Sequence, residues 1–252
     1  MKLYGVQAVV LNSRQMRDAD RVLTLYSREK GKIQAVAHGV SKPTSRKRGA
    51  VQPFCHSEFM LRRGRELDTV SQCEGRDIFP GLWNDLDRMG YAAYVSEIVD
   101  GLTVDGEPNK AVFDLLLGTL GKLETANVPD LTVRGFELRL VSLLGYRPHL
   151  DSCVSCGNES LNPVAVFSAA NGGLLCKSCA AGTGEVPCTG ETVAVMRLLL
   201  NWDPAKVGRL RVSIRSRDEM RKAMGEYLQW LTEKRSRSMH FLESVKEYRT
   251  TD

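Results

Sequence analysis

The apolar positions of this chain keep one period for the first 80 residues and another for most of the remainder. In the first part they alternate with polar ones. Tyr4, Val6, Ala8 and Val10 share a face, Leu23 and Leu25 lie on a second run, and Ile33, Ala35 and Ala37 alternate with Lys32, Gln34 and His38 on a third. Phe59 and Leu61 alternate with Glu58 and Arg62 on a fourth, and after Arg63-Gly64-Arg65 a fifth run carries Leu67, Thr69 and Cys73. A period of two marks half-buried strands. Five short strands in about 75 residues fit a small barrel such as the OB-fold, which closes its sheet edges and presents a nucleic-acid-binding face. Sandwiches and SH3-like barrels share the pattern, so this is an argument about fold class alone.

After Phe79-Pro80-Gly81 the spacing becomes helical. Ala92, Val95, Val99 and Leu102 form one stripe, Val112, Leu116, Leu120 and Leu123 another, and Val133, Phe136, Leu140 and Leu144 a third. Pro108 sits where a first-turn proline is tolerated, and Gly145 lies just past the third stripe, as a C-terminal cap would. Residues 151–185 are rich in Cys, Ser, Asn and Gly without a sustained period, which suits a small metal-organised insertion. Helical spacing returns with Val193, Met196 and Leu200, and again with Met220, Met224, Tyr227 and Leu231. The expected architecture is α+β and multidomain: an N-terminal OB-fold barrel over 1–80, a helical bundle over 81–150 and 186–252, and an inserted four-cysteine element over 151–185.

Length and composition are consistent with that division. A chain of 252 residues accommodates two ordinary domains. Hydrophobic residues at 42% and charged residues at 26% are those of a soluble globular protein. No apolar run reaches the ~20 residues needed to cross a bilayer, so no membrane role is expected. The N-terminus alternates and then turns charged, without the apolar core of a signal peptide, so a cytoplasmic location is expected. The net charge of +5 is unevenly placed: 15 Lys/Arg against 8 Asp/Glu over 1–80, 7 against 14 over 81–196, and 13 against 8 over 197–252. The two ends, rather than the middle, are suited to a polyanion.

The most specific motif is Cys153-x-x-Cys156 followed by Cys176-x-x-Cys179, with nineteen residues between the pairs. Each CxxC turn directs two thiolates at one ion, and two such turns complete the tetrahedral four-sulfur shell of a structural zinc ribbon. Such a shell is closed to substrate water, which argues against metal-assisted hydrolysis. A redox dithiol is the competing reading. Cys55, Cys73 and Cys188 are left over as buried apolar thiols.

The loop from Gly39 to Gly49 carries Lys42, Arg46, Lys47 and Arg48. Cations on a tether beside a barrel can neutralise phosphates without fixed geometry, giving salt-sensitive binding that ignores sequence. Arg14, Arg17, Lys30, Lys32, Arg62, Arg63 and Arg65 add to the same domain. The alternative is a solvated loop. Tyr4, Tyr26 and Phe54 are candidates for base stacking, with core packing as the competing reading. A C-terminal set of Arg209, Arg211, Arg215, Arg217, Arg221, Lys222, Lys234, Arg235 and Arg237 either extends a nucleic-acid path, receives an acidic peptide, or only faces solvent. No phosphate loop, dinucleotide fingerprint, HExxH or GxSxG is present, and the four histidines pair with no carboxylate in a catalytic pattern. Nothing in the sequence calls for catalysis.

Several stretches together resemble the RecO family of bacterial DNA-repair proteins. The first strand, the Gly39 to Phe54 segment ending in Gln52-Pro53-Phe54, and Gly64-Arg65-Glu66-Leu67 look like the family's OB domain. Tyr91-Ala92-Ala93-Tyr94 with Glu97 resembles its first long helix. The run Phe136-Glu137-Leu138-Arg139 through Leu143-Leu144-Gly145-Tyr146-Arg147-Pro148 to Cys153-Val154-Ser155-Cys156-Gly157 is the most specific match, and Ser238-Met239-His240-Phe241-Leu242 is similar to the family's ending.

The resemblance implies a non-enzymatic mediator that binds single- and double-stranded DNA, anneals complementary strands and associates with RecR. It also implies engagement of the acidic tail of single-stranded-DNA-binding protein and, indirectly, help for RecA in replacing that protein. It further implies a tail-binding site on the helical domain, where Arg134 matches an arginine of the family and Arg139 and Leu143 are neighbours. Some family members lack the cysteines, which implies that zinc supports local folding rather than annealing. The competing class is a zinc-ribbon protein-interaction scaffold with incidental basic loops, and a metal-dependent nuclease comes third.

Overall fold

The computed structural model describes residues 2–42, 45, 47–161, 164–182, 184–201 and 210–251. They form two compact units, one of residues 1–125 with 237–252 and the other of residues 126–236.

Five strands open the first unit: β1 Leu3–Arg17, β2 Asp20–Ser27, β3 Gly31–Ala37, β4 His56–Arg62 and β5 Asp68–Asp77. They close a barrel in the order β1-β2-β3-β5-β4, with β4 returning to β1. Every pairing is antiparallel except β3 with β5, where Ala35 faces Asp68 and Val36 faces Thr69. This is the OB-fold barrel expected from the alternation. The inward positions are those of the sequence pattern: Val6, Ala8 and Val10, Leu23 and Leu25, Ala35 and Ala37, Phe59 and Leu61 are all buried in one core.

The fifth strand departs from strict alternation. Its core residues are Val70 and Cys73, not Thr69 or Leu67, because the register slips beside it: Leu61 faces Val70 while Met60 faces Gln72. One extra residue, Ser71, reverses the parity between Val70 and Cys73, as a bulge does. β1, at 15 residues, is long enough to serve both neighbours. Register shifts fall between Val10 and Asn12 and between Gln15 and Arg17. Residues 3–9 pair with β4 and residues 8–17 with β2.

Three helices complete this unit: α1 Leu86–Leu102, α2 Lys110–Thr125 and, from the far end of the chain, α6 Arg237–Thr251. Asn109 Oδ1 accepts from the Val112 amide at 3.2 Å, so Asn109 is the cap and Pro108 stands just outside the helix rather than in its first turn. α1 and α6 touch at Gly90, where a Cβ would come within 2.4 Å of Leu242. Glu97 on α1 caps α6 by accepting from the amides of Arg237 and Ser238, each at 2.9 Å, an anion placed on the positive end of a helix.

The second unit holds α3 Pro129–Leu143, α4 Gly190–Asn201 and α5 Ile214–Thr232. Between α3 and α4 lie three short strands, β6 Val164–Ser168, β7 Gly173–Leu175 and β8 Glu185–Thr189, in the order β7-β6-β8. Gly145 ends α3 as its position suggested. Its φ is +89°, its amide reaches Ser142 O, and the Tyr146 amide reaches Val141 O at 2.7 Å. These two bonds are a Schellman closure, for which glycine has the required left-handed backbone at no steric cost. Among the described residues no helix is long and apolar enough to cross a membrane.

Candidate nucleic-acid interface and metal centre

The sulfurs of Cys153, Cys156, Cys176 and Cys179 all lie within 4.8 Å of one another, although the two pairs are separated by a sheet strand and its hairpin. Each pair sits in a tight turn. The Gly157 amide donates to Cys153 O at 2.9 Å with Gly157 at φ +74°, and the amides of Cys179 and Ala180 donate to Cys176 O at 3.0 and 3.1 Å. The Val154 amide reaches Leu174 O on β7 at 2.8 Å, so the first turn is docked on the strand that delivers the second.

The Cys156 and Cys176 sulfurs are 3.7 Å apart, close to the roughly 3.8 Å edge of a tetrahedral zinc–sulfur shell with ~2.3 Å bonds. Burial opposes ionisation of Cys153, but amides of Cys176, Cys156 and Ser155 prevail and bring its thiol down to about 6. Cys176 is lowered as well, chiefly by the Cys179 amide. At Cys179 a bond from Ser155 favours the thiolate, but hydrogen bonds with the Cys176 and Cys156 sulfurs and burial outweigh it and push the thiol up to about 12. Backbone amides thus favour thiolates at Cys153 and Cys176, while the neighbouring sulfurs favour a retained proton at Cys179. A divalent cation removes that conflict, and the donor set fits a metal ion held by four cysteines. Leu161 and Leu175 pack against the buried side of the cluster, and Cys156 lies on its exposed side. The remaining thiols are elsewhere: burial raises Cys55 to about 11 and Cys188 to about 12, and Cys73 lies partly buried against the barrel core.

The basic residues of the barrel fall into two classes. Arg14 and Arg17 on the outer part of β1, Lys42 and Arg48 in the loop before β4, and Arg62, Arg63 and Arg65 at the β4–β5 turn are exposed. Lys32 and Lys47 are already engaged. The Lys32 side chain is 13% exposed, and its ammonium meets Asp100 and Asp105 carboxylates at 3.2 and 3.3 Å and donates to Asp100 O at 2.6 Å. Lys47 donates to Val70 O and Ser71 O at 3.3 and 2.7 Å, supplying a donor at the β5 bulge. Arg46 lies outside the described residues.

The β4–β5 turn is fixed by Asp68, which accepts from the Gly64 amide at 2.9 Å and from the Tyr4 hydroxyl. A Cβ at Gly64 would lie 1.8 Å from Leu67 O, so the turn that displays Arg63 and Arg65 requires glycine. Tyr26 and Phe54, weighed as stacking platforms, are 0% and 5% exposed and belong to the interior. Tyr4 is half-buried, and its hydroxyl is the one bound to Asp68.

On α3 the candidate partner residues are placed very differently from one another. Arg134 is not a surface cation: its side chain is 2% exposed and pairs at 2.8 Å with Glu137, which is 0% exposed. Arg139 is half-buried and donates to Leu199 O at 3.1 Å, and Leu143 is exposed. The C-terminal cations are mostly paired locally: Arg215 with Glu219, Arg217 with Asp130, and Arg221 and Lys222 with Asp218. Lys234, Arg235, Arg237 and Arg211 are exposed, and Arg209 lies outside the described residues.

A closed five-stranded barrel of the OB type with exposed cations, followed along the chain by helices and a small sheet that gathers four cysteines, defines a two-part architecture with a candidate polyanion-binding face and a candidate metal centre. Family models describe the particular member. Residues 1–79 match "Recombination protein O N terminal" and residues 84–240 match "Recombination protein O C terminal". The chain is 48% identical over 244 residues to the DNA repair protein RecO of Pelotomaculum thermopropionicum, covering 96% of this chain and 94% of that one. It is 42% identical to the RecO of Desulforamulus reducens, covering 97% and 96%, and 37% identical to that of Symbiobacterium thermophilum, covering 99% and 100%. The chain belongs to the RecO family of DNA repair proteins.

Proposed function

We propose that this chain is a recombination mediator that binds single- and double-stranded DNA through its barrel, anneals complementary strands without catalysing a covalent step, and with RecR helps RecA load onto strands coated by single-stranded-DNA-binding protein. The observation that carries the reading is the set of exposed cations, Arg14, Arg17, Lys42, Arg48, Arg62, Arg63 and Arg65, displayed by one closed barrel. Cations on a rigid scaffold screen the repulsion between two polyanions and lower the barrier to their approach. Lys32 and Lys47 support the scaffold rather than touch phosphate. The barrel of residues 1–80 is the DNA-binding domain of this reading, and it works in the cytoplasm at the nucleoid.

The metal is zinc, held by Cys153, Cys156, Cys176 and Cys179 in a closed shell that folds the 151–185 element and takes no part in chemistry. The acidic tail of single-stranded-DNA-binding protein docks on the helical part around Arg139 and Leu143, with Arg134 acting from beneath the surface. The test is annealing of two complementary labelled oligonucleotides with the purified full chain and no nucleotide. Faster annealing that weakens as salt rises supports the reading. No acceleration and no DNA binding at low salt overturns it.

A further inference from the structure

The loop with Lys42 and Arg48 leaves the barrel at the end of β3, while Arg14 and Arg17 stand on the outer part of the β1–β2 hairpin. One acidic side chain joins the two. Asp20, paired with Arg17 in the β1–β2 register, accepts from the Gly39 amide at 2.8 Å through Oδ1 and meets His38 Nδ1 at 2.7 Å through Oδ2. The backbone adds a second tie, the Ser41 amide donating to Ala19 O at 3.0 Å. Arg21 braces both sides, reaching Ser13 Oγ at 3.2 Å and Ser41 Oγ at 3.4 Å. Gly39 turns the chain with φ +68° and has open space where a Cβ would lie, while Val40 beside it is buried in the barrel core, so these bonds act together with packing to set the turn. The other end of the segment is tied by Lys47 to β5.

A carboxylate at this spot is out of keeping with a surface built for phosphate, since it repels the ligand that its neighbours attract. We infer that Asp20 is a positioning residue for DNA: by holding Gly39 and His38 against the hairpin tip it brings Lys42 into one cationic face with Arg14 and Arg17. The gain is pre-organisation, because a loop already held does not lose its freedom when it binds. The Asp20 carboxyl is held below the usual carboxylate range, first by the Gly39 amide and then by His38, so it remains an acceptor at neutral pH. This inference rests on the barrel being the DNA-binding surface.

Charge and position predict opposite signs, which makes the role testable. Removing a carboxylate about 10 Å from phosphate in water tightens binding by about twofold on electrostatics alone. Asp18, exposed in the same hairpin, is the control. The experiment is anisotropy of a labelled oligothymidylate titrated with the full-length chain over a salt series, for wild type, Asp18→Ala, Asp20→Ala and Asp20→Asn, with thermal melts alongside.

Asp18→Ala should bind as wild type or up to about twofold tighter. Asp20→Ala should bind on the order of tenfold more weakly, with a log–log salt slope shallower by about 0.7, as when one phosphate contact on a single strand is lost. Asp20→Asn keeps an oxygen for the Gly39 amide but gives up the carboxylate oxygen that meets His38 Nδ1, and should fall between. If Asp20→Ala does not fold, weakening with a shallower slope in Asp20→Asn supports the role by itself. Asp20 variants that bind as tightly as Asp18→Ala, or more weakly with an unchanged slope, overturn it while leaving the barrel reading intact. A wild type that binds no DNA at low salt brings both down.

Discussion

Arg134 and Glu137 sit three residues apart on α3, one turn of the same helix, and almost no water reaches either. Their separation of 2.8 Å corresponds to roughly 6 kcal/mol of gross attraction at an effective dielectric near 20. Most of that gain is offset by the cost of taking both charges out of water, so the pair as a whole adds little net stability. Removing one member is different. Arg134→Ala leaves the Glu137 carboxylate buried without this counter-charge, and the expected loss is about 3–5 kcal/mol. Replacing both, as in Arg134→Met with Glu137→Leu, removes two desolvation costs with the attraction and should recover most of that loss. Urea unfolding followed by far-UV circular dichroism measures it: the midpoint falls for the single variant and returns toward wild type for the double. A single variant as stable as wild type, or a double variant no better than the single, would refute the reasoning. The result also bears on partner binding, because a peptide affinity lost in Arg134→Ala and restored in the double variant reports packing of α3 and not a contact made by the guanidinium.

Further outcomes follow from the other parts of the molecule. Cys153→Ser should lose bound zinc by elemental analysis and speed amide exchange in β6 and β7 while the barrel strands keep their protection; full zinc content would remove Cys153 from the ligand set. Lys47→Ala should lower the urea midpoint with little change in the salt slope of DNA binding, whereas Arg48→Ala should do the reverse; an unchanged midpoint in Lys47→Ala would show that its bonds to Val70 and Ser71 do not matter. Glu191 is held below its ordinary value of 4.5, chiefly by the Ser213 hydroxyl and amide, and Asp218 below 3.8, chiefly by Arg221. Depressed carboxylates stabilise the fold above their unfolded values, so the contribution of these two should be full above about pH 5 and be lost as pH drops through 4.5 and below, and a pH titration of the melting temperature with no fall there would contradict this.

Much of the barrel was legible because a period of two leaves a trace in every strand, from Val6 and Ala8 to Phe59 and Leu61. What escaped was a local exception to that period: the bulge at Ser71 moves the inward position from Thr69 to Val70, and no residue type there announces it. The Schellman end at Gly145 was readable because left-handed backbone favours one residue. The proximity of the four cysteines was readable because two CxxC turns at this spacing suit one shared ion, yet the small sheet that delivers the second pair was not, since its strands are only three to five residues long. Charge was the least legible feature. Arg134, Lys32 and Lys47 look like other cations in a string of letters, and their commitments to Glu137, to Asp100 and Asp105, and to two β5 carbonyls depend on residues brought near by the fold. Asp20 is hidden for the converse reason, an acid among bases whose use is geometric.

The central claim is that the exposed cations of the barrel bind DNA, and the salt dependence of single-strand affinity tests it most directly. With wild-type protein and a labelled oligonucleotide, binding should be measurable at low salt, and log K should fall linearly with log salt at about 0.7 per phosphate neutralised. Replacing Arg14, Arg17, Arg62, Arg63 and Arg65 together with alanine should flatten that line. An affinity independent of salt, or a slope that the five replacements leave unchanged, would contradict the account.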